Sequence, residues 1–248
     1  MMGTEQKIKI ITYIDRSNIL SDIFIKYYLN FFKLEEFHFL ILDSQFDLVS
    51  NYLLSNNFTS ENFKSVSNNY FGTADEILKI QNETLNEFIK QGYIVVYVDI
   101  DEIIYHHDLR NYILNNINDY ITPSGIVLIP SLDEGHLDHN DKILNQRKYC
   151  IFDNKWHSKT CILNKKYTWS AGRHNKNLNN ISEDIFLIDI GRSCPEIIRK
   201  NNELTRKIYK NVSFKYSTDQ KYYIDSMISK FLPSLKPLPD YILNTKLF

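Results

Sequence analysis

The residues with the most chemical content stand together near the middle of the chain, where VVYV leads into Asp99, Ile100, Asp101 and Glu102. On an extended segment, side chains at i and i+2 project to the same side, so Asp99 and Asp101 face one way. Two carboxylates placed like this suit a hard divalent cation, Mg²⁺ or Mn²⁺. Such a site leaves positions for water and phosphate oxygens. The plain alternative is an acidic loop capping the helix that follows. The preceding strand favours the site, because an apolar run feeding directly into three acids is costly unless positive charge compensates them.

These acids need a frame, and the pattern of elements supplies one. Lys7 to Ile14 is a β-branched apolar run ending in the polar turn Asp15-Arg16-Ser17-Asn18. Leu20, Ile23, Phe24, Tyr27 and Phe31 then recur at helical spacing. Phe37 to Leu42 is a second strand ending at Asp43. Phe46 to Leu54 reads as a helix and Phe63 to Val66 as a third strand. Thr73 and Glu76 form a capping-box pattern. It opens a helix with Ile77, Ile80, Leu85, Phe88 and Ile89 inward, and Gly92 ends it. Tyr93 to Val98 is uninterrupted and apolar, as expected of a central strand covered on both faces. A helix over Leu109 to Ile117 and strands over Ile126 to Ile129 and Phe186 to Ile190 follow.

This alternation predicts an α/β fold with a mostly parallel central sheet flanked by helices. In such sheets ligands bind beyond the carboxyl ends of the strands, where the acids stand. Ser131 to Asn180 reads as strands and loops over the sheet edge. Ser193 and Glu196 form a second capping box, with Pro195 in the first turn. Thr218 to Phe231 reads as a last amphipathic helix and the tail from Pro233 as extended; covering the core is the default role for both, with a dimer contact or a membrane surface as the alternatives. The expected division is residues 1–200, with halves meeting near 130, and a C-terminal helical extension over 201–248.

Composition removes several classes. The chain has 248 residues, 43% of them hydrophobic, so it can build a full core and is not disordered. Its 29 basic and 30 acidic residues give a net charge of -1, against a nucleic-acid partner. Seven glycines form no phosphate-binding loop. Three cysteines without close pairing argue against a disulfide scaffold and for a reducing, cytoplasmic setting. No apolar stretch is long enough for a membrane span, and the charge balance indicates no membrane surface.

The run YIVVYVDIDEII resembles the metal-binding D-x-D region of GT-A-type glycosyltransferases, Rossmann-like proteins, in their family-2-like subgroup. ITYIDRSNI followed by DIFIKYYLNFFKL, then FHFLILDS, is similar to the subgroup's strand, helix and second strand ending in aspartate. SKTCILNKKYTWSAGRHN resembles its S-K and Gly-x-His elements. FLIDIGRS resembles a later element that often carries histidine where Asp189 stands. The likeness spans about residues 6 to 200.

The resemblance implies transfer of a sugar from a nucleotide diphosphate sugar to an acceptor hydroxyl on a glycan, lipid-linked acceptor or protein. Mn²⁺ or Mg²⁺ would shield the departing diphosphate. Asp101 would coordinate the metal directly, and Asp99 would bind it through water or touch the ribose or sugar. His174 or its rival Asp189 would complete the shell. Tyr13 would meet the base face, while Asp15 and Asp43 would accept hydrogen bonds from base or ribose. For Asp43 a turn-forming role stands equally open. Asp15-Arg16 departs from the subgroup's Asn-Glu pair. Lys79 and Asn82 have donor-facing counterparts, although both suit an exposed helix face. Lys159 and Arg173 would neutralise diphosphate. Trp156 and Trp169 would stack on sugar or pack a subdomain. Asp133, Glu134 and Asp138 are candidates for the base of an inverting reaction, with Glu183-Asp184 as a further pair.

Two other readings remain from the residues. A haloacid-dehalogenase-like phosphotransferase also has an apolar strand ending in D-x-D, but here Glu102 and Ile103 follow where a small residue is needed. A non-catalytic sugar-binding relative of the same fold would tolerate the departures at Asp15-Arg16 and Asp189.

Overall fold

The computed structural model describes residues 6–14, 18–67, 74–129, 141, 143–154, 157–169, 180–193, 236–239 and 242. The first half is a parallel sheet made by strand-helix alternation. Strands β1 (Lys7–Ile14), β2 (Phe37–Leu42) and β3 (Phe63–Val66) are joined through helices α1 (Ile19–Tyr28) and α2 (Phe46–Ser55). Helix α3 (Ala74–Lys90) leads into β4 (Tyr93–Tyr97). β1 lies between β2 and β4, β3 pairs with β2, and all three pairings are parallel.

Sequence sets each layer. Along the strands, successive side chains alternate between the two faces. Ile8, Ile10 and Ile14 of β1, with Phe37, Phe39 and Ile41 of β2, share one core with Leu20 and Phe24 of α1 and Val49 and Leu53 of α2. Ile11, Leu40, Val95 and Tyr97 point the other way, to Leu85 of α3 and Trp169. α1 starts at Asn18, whose Oδ1 accepts from the main-chain N–H of Leu20 (2.9 Å) and of Ser21 (3.3 Å). The helix ends at Tyr28, so Phe31 lies beyond it but still packs on the core.

Beyond β4 the ladder turns antiparallel. β8 (Ile162–Leu163) pairs with β4 and with β6 (Tyr120–Ile129), and β6 pairs with β7 (Tyr149–Phe152). β6 is longer than the sequence predicts, running through Pro123 and Gly125. Pro123 is tolerated because it sits at an irregularity. The register with the parallel strand β9 (Ile181–Asp189) jumps there from Pro123↔Ser182 to Ser124↔Phe186. The looped-out β9 residues include Glu183 and Asp184, which are exposed.

β5 (Glu102–Tyr105) is a strand the sequence pattern did not predict. It pairs antiparallel with β9 and places Glu102 opposite Asp189. Its Ile104 also bonds to helix α1: Tyr27 donates its hydroxyl to the Ile104 carbonyl (2.7 Å), and the Ile104 N–H donates to the Tyr28 hydroxyl oxygen (2.9 Å). Burial raises the pKa of both phenols well above the ordinary tyrosine value, with each neighbouring tyrosine adding to it. Helices α4 (Leu109–Asn116) and the short α5 (Ile143–Gln146) complete the described helices.

Of the expected C-terminal extension, the described pieces cover the core. β10 (Lys236–Pro237) pairs with β7, and Leu238 and Ile242 are buried. The expected helices at 193 onward and 218–231 lie outside the described residues. Among the described residues no helix is long and apolar enough to cross a membrane.

Tyr28→Phe leaves the buried Ile104 N–H without its hydroxyl acceptor. Its cost should be about 1–3 kcal/mol in denaturant unfolding, with the larger part of the loss local to β5. Hydrogen exchange at Ile104 checks this, because the amide should lose protection well beyond the global change.

Candidate functional site

β4 ends against the acids, and the chain turns at once. The Glu102 N–H donates to the Asp99 carbonyl (3.0 Å), and the Asp99 N–H donates back to Glu102 Oε2 (3.1 Å). This double closure fixes a four-residue turn with Asp101 inside it. β9 closes the other side, where the Ile190 N–H donates to the Asp101 carbonyl (2.8 Å). Asp189 is thereby delivered to the carboxylates of the D-x-D turn from nearly ninety residues away in sequence.

The electrostatics follow from that packing. Asp101 has its pKa raised well above the usual carboxylate range, first by burial and then by Asp189, Asp99 and Glu102, with Lys159 opposing. Lys159 Nζ lies 3.1 Å from Asp99 Oδ2 and also bonds Glu102 Oε1, whose side chain is only 5% exposed. A buried carboxylate in this position needs such a partner. Gly191 makes room for Asp101: a Cβ there would lie 2.3 Å from Asp101 Oδ2. Its N–H donates to Asp189 Oδ1 (2.9 Å).

The turn that carries Lys159 is itself pinned to β6. The Gly125 N–H donates to Asn154 Oδ1 (2.8 Å) and Ser158 Oγ (2.9 Å). A Cβ on Gly125 would lie 2.6 Å from the Asp153 carbonyl oxygen and from His157 main chain, so only glycine permits this approach. The turn presents His157, with Nδ1 3.1 Å from Asp153 Oδ2 and Nε2 3.4 Å from Asp189 Oδ2.

The predicted residues fall into separate groups. Asp99, Asp101, Lys159 and Asp189 are brought together. Asp43 is exposed at the end of β2 and bonded by the Ser65 hydroxyl, as a turn-forming aspartate would be. Tyr13 packs on the α3 side of the sheet. Lys79 and Asn82 line a different place, a groove of about 660 Å³ between α3 and Thr168-Trp169. Lys79 is exposed beside Glu83. Asn82 accepts from the Trp169 N–H (2.9 Å) and donates to its carbonyl (3.4 Å). Asn86, one helical turn on, holds Tyr167 in the same way (3.1 and 2.9 Å). Trp169 is buried against Tyr97 and donates its indole N–H to the Thr160 carbonyl (2.8 Å). It packs the fold instead of offering a face to sugar. Asp15, Asp133, Glu134, Asp138, Trp156, Arg173 and His174 lie outside the described residues.

The sequence reading missed His157, Asp153, Gly125 and Gly191. The i, i+4 spacing of Asp153 and His157 was the available signal, and it is weak in a loop.

Hard oxygen donors fit Mg²⁺ or Mn²⁺, which commonly take one or two protein carboxylates and complete their shell with phosphate and water. Asp101 and Asp189 supply two. Among the described residues no group of three or more His, Cys, Asp or Glu side chains is arranged to hold a metal ion. Lys159 already holds Asp99 and Glu102.

No protein-family model matches the chain, and no curated protein sequence does. Among solved structures it is similar to S. aureus TarS residues 1–349, with TM-score 0.34 and 14% identity over 92% of this chain and 71% of that one. A longer S. aureus TarS chain gives TM-score 0.39 and 13% identity over 92% of this chain, which spans 43% of that one. A putative glucose-1-phosphate thymidylyltransferase from Bacillus anthracis, in complex with a sucrose, gives TM-score 0.39 and 10% identity over 86% and 98%. Likenesses this distant identify no chemistry, which has to come from the chain's own residues.

Two outcomes follow from the acid cluster. The folded Asp101 carboxyl holds its proton more tightly than the unfolded one. Its stabilisation is complete below the ordinary carboxylate value, about 4, and is lost as pH rises toward the raised folded value. Asp101→Asn should therefore raise Tm at pH 7.5 and flatten the fall of Tm with pH; an unchanged pH profile contradicts this. Gly191→Ala should displace the Asp101 side chain, which can move, without breaking main-chain packing. Its Tm should stay within a few degrees of the parent, as thermal unfolding followed by circular dichroism would show.

Proposed function

We propose that this chain is a metal-dependent glycosyltransferase of GT-A type. It moves a sugar from a nucleotide diphosphate sugar to an acceptor hydroxyl, in the synthesis of surface glycans or glycoconjugates. The observation that carries this reading is the meeting of Asp101 and Asp189 at the carboxyl end of a central strand, where Glu102 of β5 lies opposite Asp189 of β9 and the Ile190 N–H bonds the Asp101 carbonyl. Its place in the sheet is where α/β proteins bind ligands.

In this reading Asp101 and Asp189 hold a divalent ion, Mn²⁺ or Mg²⁺, and Asp99 contacts it through water or touches the ribose. The ion's contribution when bound is to shield the negative charge of the leaving diphosphate. Lys159 adds a second positive group at the same place. Glu102 closes the turn in which Asp101 sits. The acceptor's proton goes to a carboxylate base if the reaction inverts the sugar, with Asp133 and Glu134 as the candidates. The protein works in the cytoplasm in this account.

One observation favours a second reading. Lys159 already offsets Asp99 and Glu102, as it would in a sugar-binding relative that dispenses with metal.

Calorimetric titration of nucleoside diphosphates and their sugar conjugates, with and without Mn²⁺, separates the two. The transferase reading expects binding that requires Mn²⁺, donor turnover in the parent, and loss of turnover by at least a hundredfold (about 2.7 kcal/mol) in Asp101→Ala. Glycan binding indifferent to metal supports the relative. Retention of most transferase activity by Asp101→Ala would sink the metal assignment.

A further inference from the structure

We propose that His38 is an acid-sensitive latch between the sheet and helix α3, holding the helix while its ring is neutral and releasing it when the ring takes a proton. The latch stands apart from the acids that follow β4. It begins with three neighbouring strands, β1, β2 and β3, paired in that order. By the two-residue alternation of side chains, Lys9 shares the face of Ile11, His38 that of Leu40 and Lys64 that of Val66. This is the face that packs on Leu85 and Phe88 of α3.

Phe88 is the residue of α3 that the ring meets. The His38 and Phe88 rings lie 5.0 Å apart between centroids, edge to face at 68°. Lys9 Nζ lies 5.4 Å from the centroid of the same Phe88 ring and 5.4 Å from that of Tyr93 on β4. Imidazole and ammonium thus share one aromatic neighbour, and no described carboxylate bonds the ring. Glu35 and Glu36, just before β2, act on Lys9, whose Nζ donates to the Glu35 carbonyl (2.7 Å). The charged residues of α3 beside Phe88, Glu87 and Lys90, line the groove with Trp169. Burial, then Lys9, then Lys64, lower the pKa of His38 to about 4.

Once α3 has left, the ring protonates near the ordinary histidine value of about 6.5. The open state then binds more protons than the closed one. The contribution of His38 to closure is therefore full above about 6.5 and is lost as pH falls toward about 4. At pH 5.5 this amounts to about a tenfold fall in the ratio of closed to open. α3 joins β4 through Gln91 and Gly92 alone, so it can open as a unit while β1 and β2 stay paired. Its release also frees the main chain of Tyr167 and Trp169, which Asn86 and Asn82 hold on the same helix.

Hydrogen exchange of the full chain at pH 7.5 and 5.5 tests the latch, with protection factors corrected for the intrinsic effect of pH on exchange. The parent is compared with His38→Phe and His38→Gln, neither of which titrates at this position. The expected result is about a tenfold loss of protection at Leu85 to Ile89 in the parent, a smaller change in β1 and β2, and no loss at α3 in either variant. The latch is overturned by an equal loss in parent and variants, or by no loss in the parent. A loss equally large across β1 and β2 also overturns it, since His38 is then an ordinary core group. Should one variant fail to fold, the other makes the same comparison.

Discussion

The structure depends on compensating carboxylates that an apolar strand drives into the protein. β4 is buried, and the chain leaves it directly into Asp99, Asp101 and Glu102, with Asp189 arriving from β9. Desolvation and repulsion from these neighbours both oppose ionising Asp101. Lys159 relieves part of it by pairing with Asp99 and Glu102. Asp101 is left with its proton affinity raised. A carboxyl held that way lowers stability once it ionises.

Much of the surrounding fold holds this cluster in place. Tyr27 and Tyr28 reach from α1 to satisfy both main-chain groups of Ile104, so that β5 is held on the side away from β9. Gly125 lets Asp153, Asn154, His157 and Ser158 sit directly on β6, next to Lys159, which pairs with the acids. Gly191 leaves space for Asp101. Asn82 and Asn86 clasp the main chain of Trp169 and Tyr167, anchoring the segment that follows β8 on α3. These are local, directional contacts laid over two continuous apolar cores.

The parallel half was readable because its signals are local. β1, β2, β3 and β4 are apolar runs, and α1, α2 and α3 show helical spacing with recognisable starts or stops. The acids after β4 were legible for the same reason, but as an extended segment, whereas the chain turns at 99–102 and enters β5. β5 was not, since four residues after a polar turn carry no periodicity of their own and become a strand only by pairing with β9. Pro123 and Gly125 hid the first half of β6, because both residues normally argue against a strand interior and here occupy a register break and a close main-chain approach. Lys159 and Asp189 were picked out through resemblance, yet their meeting with Asp99 and Asp101 depends on long-range register. His157 gave no comparable signal. Trp169 shows the opposite case, where a residue type that suits sugar stacking is used for packing against Tyr97.

Diffraction from crystals of the full chain grown with Mn²⁺ and a nucleoside diphosphate, with anomalous data collected for manganese, tests the central claim most directly. The account predicts an anomalous peak within coordinating reach of Asp101 and Asp189, with diphosphate oxygens on its open side. A peak elsewhere, or diphosphate bound with no manganese while Lys159 still holds Asp99 and Glu102, would contradict it.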